Sequence, residues 1–600
     1  MLATGLSLLA PAFGHAAPAI TLSAPNLSEK AETMLRGQSN LLGAQLPPKV
    51  DSQEIFTTAR ADYARLLAAL YAQGYYAARI NILLDGKEAA DIAPLDAPAQ
   101  ITRIDIAIKP GPVFRFGQTN IAPLPKGFVR PPAFATGKVA FSSALSDVVS
   151  QAVEGWRAAG HAKAEKGTQS IRANHTNATL NADITLNPGP RLQFGTLSVS
   201  GNTRMEAARV IALAGLPTGQ RFSPEEVDTA TDRLRQSGVF QSVTLTEAEA
   251  PTPENQLNFN VTVVEAPLHR VGFGGELAST DGLTLSGYWL HRNLLGNGES
   301  LRLEGKISGI NAGASSDSLS ADDLNFDIGA RLNRPATFGP DTTLFFDTTA
   351  EHANERTYTT DRFTMGAGLT HRFSKRLQAE TAFALAYEDF ESDLGHRNAT
   401  SLLLPTYLAF DGRDVATDAQ SGAYAKVEIT PFAGFDTGTA GVWSFVDARA
   451  YRRIGSRTRP PVLAGRLQVG AIFGADAFDT PSEFLFYSGG GGSVRGQPYQ
   501  SLGAKICSAT ACGLDFGGLS YAGLSVEMRA PLRGSLGIAS FADAGFVSAG
   551  LFDQGEWHAG AGFGLRYATP VGPIRLDLAA PVAGNTGNGP QIYIGIGQAF

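Results

Sequence analysis

The chain has 600 residues, and its composition narrows the class of protein. Glycine occurs 67 times and charged residues make up only 18% of the chain, whereas soluble domains average roughly 7% glycine and about 25% charged residues. The 49 basic and 56 acidic residues give a net charge of −7, which argues against the basic surface of a nucleic-acid-binding protein. Every apolar run is shorter than the roughly 18 residues that a membrane-spanning helix needs, so strands must make any crossing.

The N-terminal segment has the pattern of an export signal. MLATGLSLLAPAFGHAAPA places an apolar core before small residues where a signal peptidase can cut. The candidate cleavage positions are Gly14, Ala16, Ala17 and Ala19. No lysine or arginine precedes the apolar core, which departs from the usual pattern and leaves a disordered leader as the alternative. We predict a signal peptide over residues 1–19 and export to the periplasm.

A repeat of about 80 residues organises the chain up to residue 267. Pro110-Gly111-Pro112 and Pro188-Gly189-Pro190 are each followed by a similar alternating strand, VFRFGQTNIAP and RLQFGTLSVSGN, and a third boundary falls at Glu265-Ala266-Pro267. In each unit an amphipathic helix runs into a glycine and then into a strand. A glycine there predicts a helix C-cap with a positive φ angle. The three glycines are Gly74, Gly160 and Gly238.

The third unit shows the order of elements most clearly. The pattern predicts a strand at 193–199, a helix at 205–213, a second helix capped by Ser223 with Glu226 as its capping box, and two closing strands. This β-α-α-β-β order resembles the POTRA domain, a periplasmic module of outer-membrane assembly factors. The resemblance implies POTRA domains at 20–110, 111–189 and 190–267. Another small α+β repeat is the alternative.

From about His269 the chain changes to short alternating segments separated by Gly, Asn and Asp. The segment 294–299 contains Asn297-Gly298, a pair that tight hairpins favour. Residues 268–600 leave room for roughly 16 strands at about ten residues each. We predict α+β N-terminal POTRA repeats followed by an all-β transmembrane barrel of about 16 antiparallel strands. A passive porin fits the composition equally well, but a diffusion pore has no use for three periplasmic modules.

The last residues, GPQIYIGIGQAF, alternate as a barrel strand does. One face carries Ile592, Ile594, Ile596, Gln598 and Phe600, and the other carries Tyr593, Gly595, Gly597 and Ala599. We predict a strand whose apolar face meets lipid and which runs to Phe600. A terminal aromatic in this setting resembles the recognition signal of bacterial outer-membrane barrels, except that Gln598 stands where an apolar residue is usual. An edge strand of a soluble sandwich is the alternative.

A glycine-rich loop and two later strands carry a more specific pattern. The loop, residues 489–503, contains Val494-Arg495-Gly496, Glu527 follows in VEMRAPL, and FADAG contains Phe541, Asp543 and Gly545. Each piece alone is ordinary, a solvated loop charge or a strand fragment. In this order they resemble the superfamily of BamA and TamA, whose loop arginine folds into the barrel and pairs with an acidic residue on a late strand.

The resemblance maps this pin onto Arg495 with Asp543, and with Glu527 as a further partner. A guanidinium and carboxylates make such a pin strong and directional. Gln497 replaces the aromatic residue that usually follows V-R-G, which puts part of the loop packing in doubt.

Three POTRA-like units, rather than five or two, point within this superfamily to the TamA branch, the outer-membrane half of a translocation and assembly module. The resemblance implies a non-enzymatic factor in the bacterial outer membrane, with POTRA domains in the periplasm, that inserts client barrels such as autotransporters. It also implies a TamB-like partner anchored in the inner membrane, together with contacts to outer-membrane lipid. The alternatives are a two-partner secretion pore for one exoprotein, which normally has two POTRA domains, and the core barrel-assembly subunit, which has five.

Strand-edge chemistry indicates how such a barrel could act. If the first strand, near 270–278, pairs poorly with the last, near 591–600, their seam exposes backbone groups that an incoming strand can satisfy. Gly595 and Gly597 would weaken the last strand there. Cys507 and Cys512 are close enough in sequence to form a disulfide in an oxidising compartment. No motif predicts a catalytic, cofactor or metal site.

Overall fold

The computed structural model describes residues 18–43, 51–279, 282–310, 324–456, 459–507, 512–570, 572–587, 589–598 and 600. Nearly all of the predicted signal peptide therefore lies outside the described residues. Two compact units make up the chain. The first comprises the described residues up to Thr196 together with 217–227 and 248–258, and the second comprises 197–216, 228–247 and 259–600.

The first repeat folds as a small α/β module. Its elements are β1 (Ala19–Ser23), α1 (Glu29–Gln38), α2 (Asn40–Gly43), α3 (Ser52–Ala72), β2 (Arg79–Leu84), β3 (Lys87–Glu88) and β4 (Arg103–Lys109). The sheet order is β1-β4-β2-β3, with β1 parallel and β2 antiparallel to β4. Alternation in RIDIAIK buries Ile104, Ile106 and Ile108 in one core with Leu66 and Leu70 of α3.

The second repeat keeps the same sheet but has a shorter set of elements. They are β5 (Arg115–Ala122), α4 (Ser142–Ala158), β6 (Glu165–Asn174) and β7 (Thr179–Asn187), with the sheet order β5-β7-β6. Residues 123–141 are described throughout and form turns where the other repeats have a first helix. Pro125, Pro131 and Pro132 lie in this stretch, and proline lacks the N–H that a helix interior requires.

The third repeat has the complete β-α-α-β-β order that its sequence predicts. Its elements are β8 (Gln193–Ser200), α5 (Ala207–Ala214), α6 (Pro224–Gln236), β9 (Phe240–Glu247) and β10 (Gln256–Glu265), with the sheet order β8-β10-β9. The predicted positive φ angles at the helix ends are confirmed, because Gly74, Gly160 and Gly238 have φ angles of +86°, +97° and +71°. Gly74 and Gly160 each follow directly after the C-cap residue of their helix. Among the helices of the described part of the chain, none has both the length and the apolar character needed to cross a membrane.

The rest of the chain forms a closed antiparallel barrel of 16 strands, which confirms the predicted fold class. Its first strands are β11 (His269–Ala278), β12 (Gly282–Arg292), β13 (Ser300–Ile310), β14 (Asn325–Arg334), β15 (Thr342–Glu355), β16 (Tyr358–Arg372), β17 (Leu377–Ser392), β18 (Gly395–Leu403), β19 (Thr406–Asp411), β20 (Gly422–Gly434), β21 (Ala440–Arg453) and β22 (Val462–Phe473). A two-stranded ribbon, β23 (Ala504–Cys507) and β24 (Cys512–Phe516), follows. The closing strands are β25 (Ser520–Pro531), β26 (Leu536–Ser548), β27 (Glu556–Tyr567), β28 (Ile574–Ala583) and β29 (Gln591–Ile596).

Segments β18 and β19 act as one strand, because both pair with β17 on one side and with β20 on the other. Pro405 lies in the two-residue gap between them, and proline cannot donate to the ladder.

In the second compact unit the helices of the third module contact the turns at one end of the barrel. Arg209 of α5 donates to the carbonyl oxygens of Asn297 (3.2 Å) and Pro335 (2.7 Å), on the β12–β13 and β14–β15 turns. Arg233 of α6 forms two hydrogen bonds with the carboxylate of Asp341 (2.8 and 2.6 Å). These contacts hold the third module against the barrel turns.

Glu265 at the end of β10 ties this module together where the chain enters the barrel. Its carboxylate accepts from the backbone N–H groups of Thr203 (2.9 Å), Arg204 (2.9 Å) and Met205 (3.0 Å), and from Arg204 Nε (2.6 Å). Burial of the carboxylate acts to raise its pKa, but these donors outweigh burial and lower the pKa of Glu265 from 4.5 to about 2. The charged form is therefore the one that stabilises the fold.

We predict that Glu265→Gln weakens this junction. The loss of a charged acceptor should lower the local opening free energy of the 203–205 amides by about 2 kcal/mol. Because the folded-state pKa is depressed, the wild-type contribution is complete above about pH 4.5 and is lost as the pH falls toward about 2. Hydrogen exchange of the full-length protein at neutral and acid pH measures both effects. The exposed Glu249→Gln is the control, and unchanged exchange in the Glu265 variant would contradict the assignment.

Candidate functional site

The connection between β22 and β25 contains the Val494-Arg495-Gly496 loop, which lies inside the barrel. Val494 is fully buried and Arg495 is only 2% exposed. Gly545 of β26 leaves room for this loop, because a Cβ there would lie 2.1 Å from Ser488 Oγ and 3.0 Å from Val494 Cγ2. The missing side chain at Gly545 thus gives the loop space at this point of the wall.

Arg495 binds three carboxylates on three different strands. Its Nε lies 2.8 Å from Asp543 on β26, and its Nη1 lies 2.9 Å from Glu527 on β25 and 3.2 Å from Asp577 on β28. The guanidinium carbon also lies 3.4 Å from the ring centre of Phe541. The structure thus brings together Arg495, Glu527, Phe541 and Asp543, which the sequence singles out. Asp577 was missed, although a lone acid in the apolar strand IRLDLAAP was a usable signal.

Two further arginines complete the buried cluster. Arg529 Nε lies 2.8 Å from Glu527, while Arg566 lies 3.3 Å from Glu527 and also pairs with Asp577. Three guanidinium groups therefore face three carboxylates, and each of these residues is less than 10% exposed. A buried charge is tolerated only when partners at close range replace water. The three positive charges balance the three negative charges, and hydrogen bonds within the cluster replace those to water. The cluster therefore meets that requirement.

Gln497 helps to anchor the loop to the barrel wall. The residue is fully buried, and its amide donates to the carbonyl oxygens of Ala559 on β27 (2.8 Å) and Ala583 on β28 (3.0 Å). Its side-chain oxygen accepts from Thr586 (2.9 Å). The ladder between β27 and β28 shifts register between Ala559 and Gly560, so the amide bridges the two strands where their own pairing is irregular.

The predicted disulfide pair lies in the ribbon that follows the pinned loop. Cys507 and Cys512 are register partners of the ribbon β23–β24, but their side chains lie outside the described residues. The disulfide stays a prediction.

The barrel closes through a short seam between β11 and β29. Only Leu277 with Ile594 and Ala278 with Tyr593 are paired in that ladder, whereas β11 and β12 are paired at ten positions, from His269 to Ala278 on β11. Beyond the ladder, the N–H of Ser279 donates to the carbonyl oxygen of Ile592 (3.0 Å). Among the described residues, 269–276 of β11 therefore have no ladder partner on the β29 side, which meets the condition that the sequence analysis set for an open seam.

An ion pair crosses this seam on its inward side. Arg575 of β28 donates through Nη2 to Glu276 of β11. Gly595 is the register partner of Arg575, and a Cβ at Gly595 would lie 3.0 Å from Arg575 Nε. The glycine therefore lets the arginine side chain pass over β29. Sequence reasoning missed Arg575 and Glu276, because no local pattern connects residues so far apart in the chain.

The chain end differs from its prediction. Tyr593 is fully buried and accepts from the N–H of Gly496 (3.0 Å), while Ile592, Ile594 and Ile596 are exposed, as the alternation predicts. The strand, however, stops at Ile596, and Gly597 has a φ angle of +95°. The prediction of a strand that runs to Phe600 with its ring facing lipid is therefore wrong.

The physical reason is that the last residues of the chain accept hydrogen bonds from buried arginines. Gln598 accepts from Arg566 (3.0 Å) and donates to Asp418 (2.8 Å). Arg529 donates to the carbonyl oxygen of Phe600 (3.1 Å). Phe600 is 9% exposed and belongs to a buried cluster with Ala419, Tyr451, Val462 and Ala464.

POTRA-type modules ahead of a closed 16-strand barrel, with a loop pinned inside it, define a POTRA-bearing barrel protein. The family described as "Omp85 superfamily domain" matches residues 293–600, and the POTRA family described as "Surface antigen variable number repeat" matches residues 193–266. The chain belongs to the Omp85 superfamily.

Among known proteins, outer membrane protein assembly factor BamA of Neisseria meningitidis is 20% identical over 551 residues. That match covers 80% of this chain and 66% of the relative, so the chain spans just under two thirds of the relative's length. The crystal structure of Haemophilus ducreyi BamA lacking POTRA domains 1-3 has a TM-score of 0.61 at 16% identity, over 80% of this chain and 100% of that one. CdiB from Acinetobacter baumannii has a TM-score of 0.50 at 13% identity, over 81% and 90%. These two structures share the fold of this chain.

We predict that Arg495→Met releases the loop from the wall. The change leaves three buried carboxylates short of a partner, so the free energy of unfolding of the barrel should fall by about 3–5 kcal/mol. Denaturant unfolding of the full-length protein in detergent measures this loss, and hydrogen exchange should rise over residues 489–503.

The matched control is Arg302→Met, because the Arg302–Glu304 ion pair (2.7 Å) is largely exposed and should change stability by less than about 1 kcal/mol. Equal effects of the two variants would show that the Arg495 cluster does not hold the loop.

Proposed function

We propose that this protein is a bacterial outer-membrane factor that inserts client β-barrel proteins through the seam between β11 and β29, with its POTRA domains in the periplasm. The observation that carries the proposal is the two-position ladder between these strands, beside ten positions on the other side of β11. An unpaired strand edge is a template for another strand. Membership in the Omp85 superfamily supports the outer-membrane location.

Little free energy is needed to separate the backbone pairing between β11 and β29. A backbone hydrogen bond contributes about 1 kcal/mol net, so a ladder this short is a small barrier compared with the other ladders of the wall. A client strand that adds to residues 269–276 of β11 gains backbone partners there. The step needs no nucleotide and no catalytic group, because strand pairing itself supplies the favourable free energy.

The three POTRA modules support a TamA-like role within the superfamily. In that role the clients include autotransporters, the module edges capture extended client segments, and the first module docks a TamB-like partner anchored in the inner membrane. The Arg495 cluster keeps β25, β26 and β28 together while the adjoining seam parts.

We predict that a disulfide across the seam stops client insertion. Leu277 and Ile594 are register partners, so Leu277→Cys with Ile594→Cys should block insertion of an autotransporter barrel when oxidised and restore it when reduced. The measurement is protease resistance of the inserted client in membranes that contain the variant.

The matched control is Leu285→Cys with Ile307→Cys, since these residues are partners in the β12–β13 ladder away from the seam. The control should insert clients in both redox states. Full insertion by the oxidised seam variant would rule out lateral opening as the route.

Depletion of the protein distinguishes the related functions. We predict that outer membranes of depleted cells lose a few autotransporter-like barrels while the cells stay viable, as quantitative proteomics would measure. Loss of one secreted protein alone would instead favour a two-partner secretion pore, and collapse of most barrels would favour the core assembly subunit.

A further inference from the structure

Arg575 is a buried cation with unused hydrogen-bond donors beside the seam. The residue is 7% exposed, and its Nη2 donates to Glu276. In the part of the chain that the structure describes, Arg575 Nε and Nη1 have no hydrogen-bond partner. A buried donor without an acceptor is unfavourable, so this guanidinium is prepared to bind another acceptor.

The side chain lies where an added strand would pass. Arg575 crosses β29 over Gly595 and ends at Glu276 on β11, so its guanidinium spans the inward side of the seam. A strand inserted between β29 and β11 would move Glu276 away from β28 by about one strand spacing, roughly 4.8 Å. The ion pair would then be broken, and the guanidinium would face an inward side chain of the inserted strand.

The inward side of β11 carries two glycines next to Glu276. Gly272 and Gly274 alternate with Glu276 on that side, and a cavity of about 390 Å³ lies along them, with Tyr288 and Ser286 of β12 in its lining. Tyr288 and Ser286 lie over Gly272 and Gly274 and would clash with a Cβ there. β11 therefore presents no bulky inward group of its own to an inserted strand at these two positions.

We infer that Arg575 is a specificity-determining residue of the seam, which selects extended strands with a carboxylate or amide oxygen at the inward position next to it. This inference rests on the proposed function. The ligand is an extended segment of another protein, and the acceptor on it takes the place of Glu276. A guanidinium binds a carboxylate through charge-assisted hydrogen bonds, binds an amide oxygen less strongly, and repels an ammonium group.

The test uses the full-length protein in detergent micelles and four synthetic 12-residue peptides of alternating apolar and polar residues. The peptides differ only at one central inward position, which is Glu, Gln, Leu or Lys, and each carries a benzophenone for crosslinking to β11. Wild-type protein should bind the Glu peptide about tenfold more tightly than the Leu peptide, with Gln between them and Lys weakest.

Arg575→Met should abolish this ranking while the affinity for the Leu peptide stays the same. The matched control is Arg331→Met, an arginine on β14 that pairs with Glu380 (2.8 Å), and it should keep the ranking. Because Arg575→Met could impair folding, heat-modifiable electrophoretic mobility checks that each barrel is folded. Glu276→Gln, which keeps the arginine, is a second variant and should bind the Glu peptide more tightly than wild type does.

Two results would overturn the inference, and they differ. If folded Arg575→Met protein keeps the full ranking, or if Glu276→Gln leaves binding of the Glu peptide unchanged, Arg575 does not select strands, although entry at the seam stands. If no peptide crosslinks to β11 in any variant, entry at the seam fails, and the proposed function fails with it.

Discussion

Charges that are removed from water inside a barrel must be matched at close range. Three arginines and three carboxylates meet this constraint around Arg495, and the partners come from the loop and from β25, β26, β27 and β28. None of these side chains can leave without exposing another charge to the low-dielectric interior. The loop and this part of the wall are therefore coupled, and the rest of the site is arranged around them.

The seam lies one strand away from this cluster, because β29 follows β28 in the wall. β28 is held by Asp577 in the cluster, while β29 has only six residues and a ladder of two positions with β11. The weak backbone pairing is thus confined to β11 and β29 rather than distributed around the barrel. Under the proposed function, the barrel parts at this one place and keeps its shape elsewhere, as insertion of a client strand requires.

On the β11 side of the seam, the barrel is connected to the third module. Glu265 closes that module just before β11 begins, and Arg209 and Arg233 hold its helices to the turns that follow β12 and β14. The first barrel strands are thus anchored to the third module, and under the proposed function this anchor holds them in place when the seam opens. The Arg575–Glu276 ion pair links the two sides of the seam, and under the proposed function an inserted strand replaces it.

Local sequence patterns allowed much of the fold and part of the site to be predicted. Alternation at Ile592, Ile594 and Ile596 depends only on the two-residue period of a strand, and Gly74, Gly160 and Gly238 mark helix ends through their own φ angles. The grouping of Arg495 with Glu527 and Asp543 was implied by the resemblance to the superfamily. Tertiary structure alone decided that Asp577, Arg529 and Arg566 join them, that Glu276 meets Arg575, and that Gln598 and Phe600 turn inward. Strand register across the barrel sets those contacts, and register depends on pairings between distant segments that no local period contains.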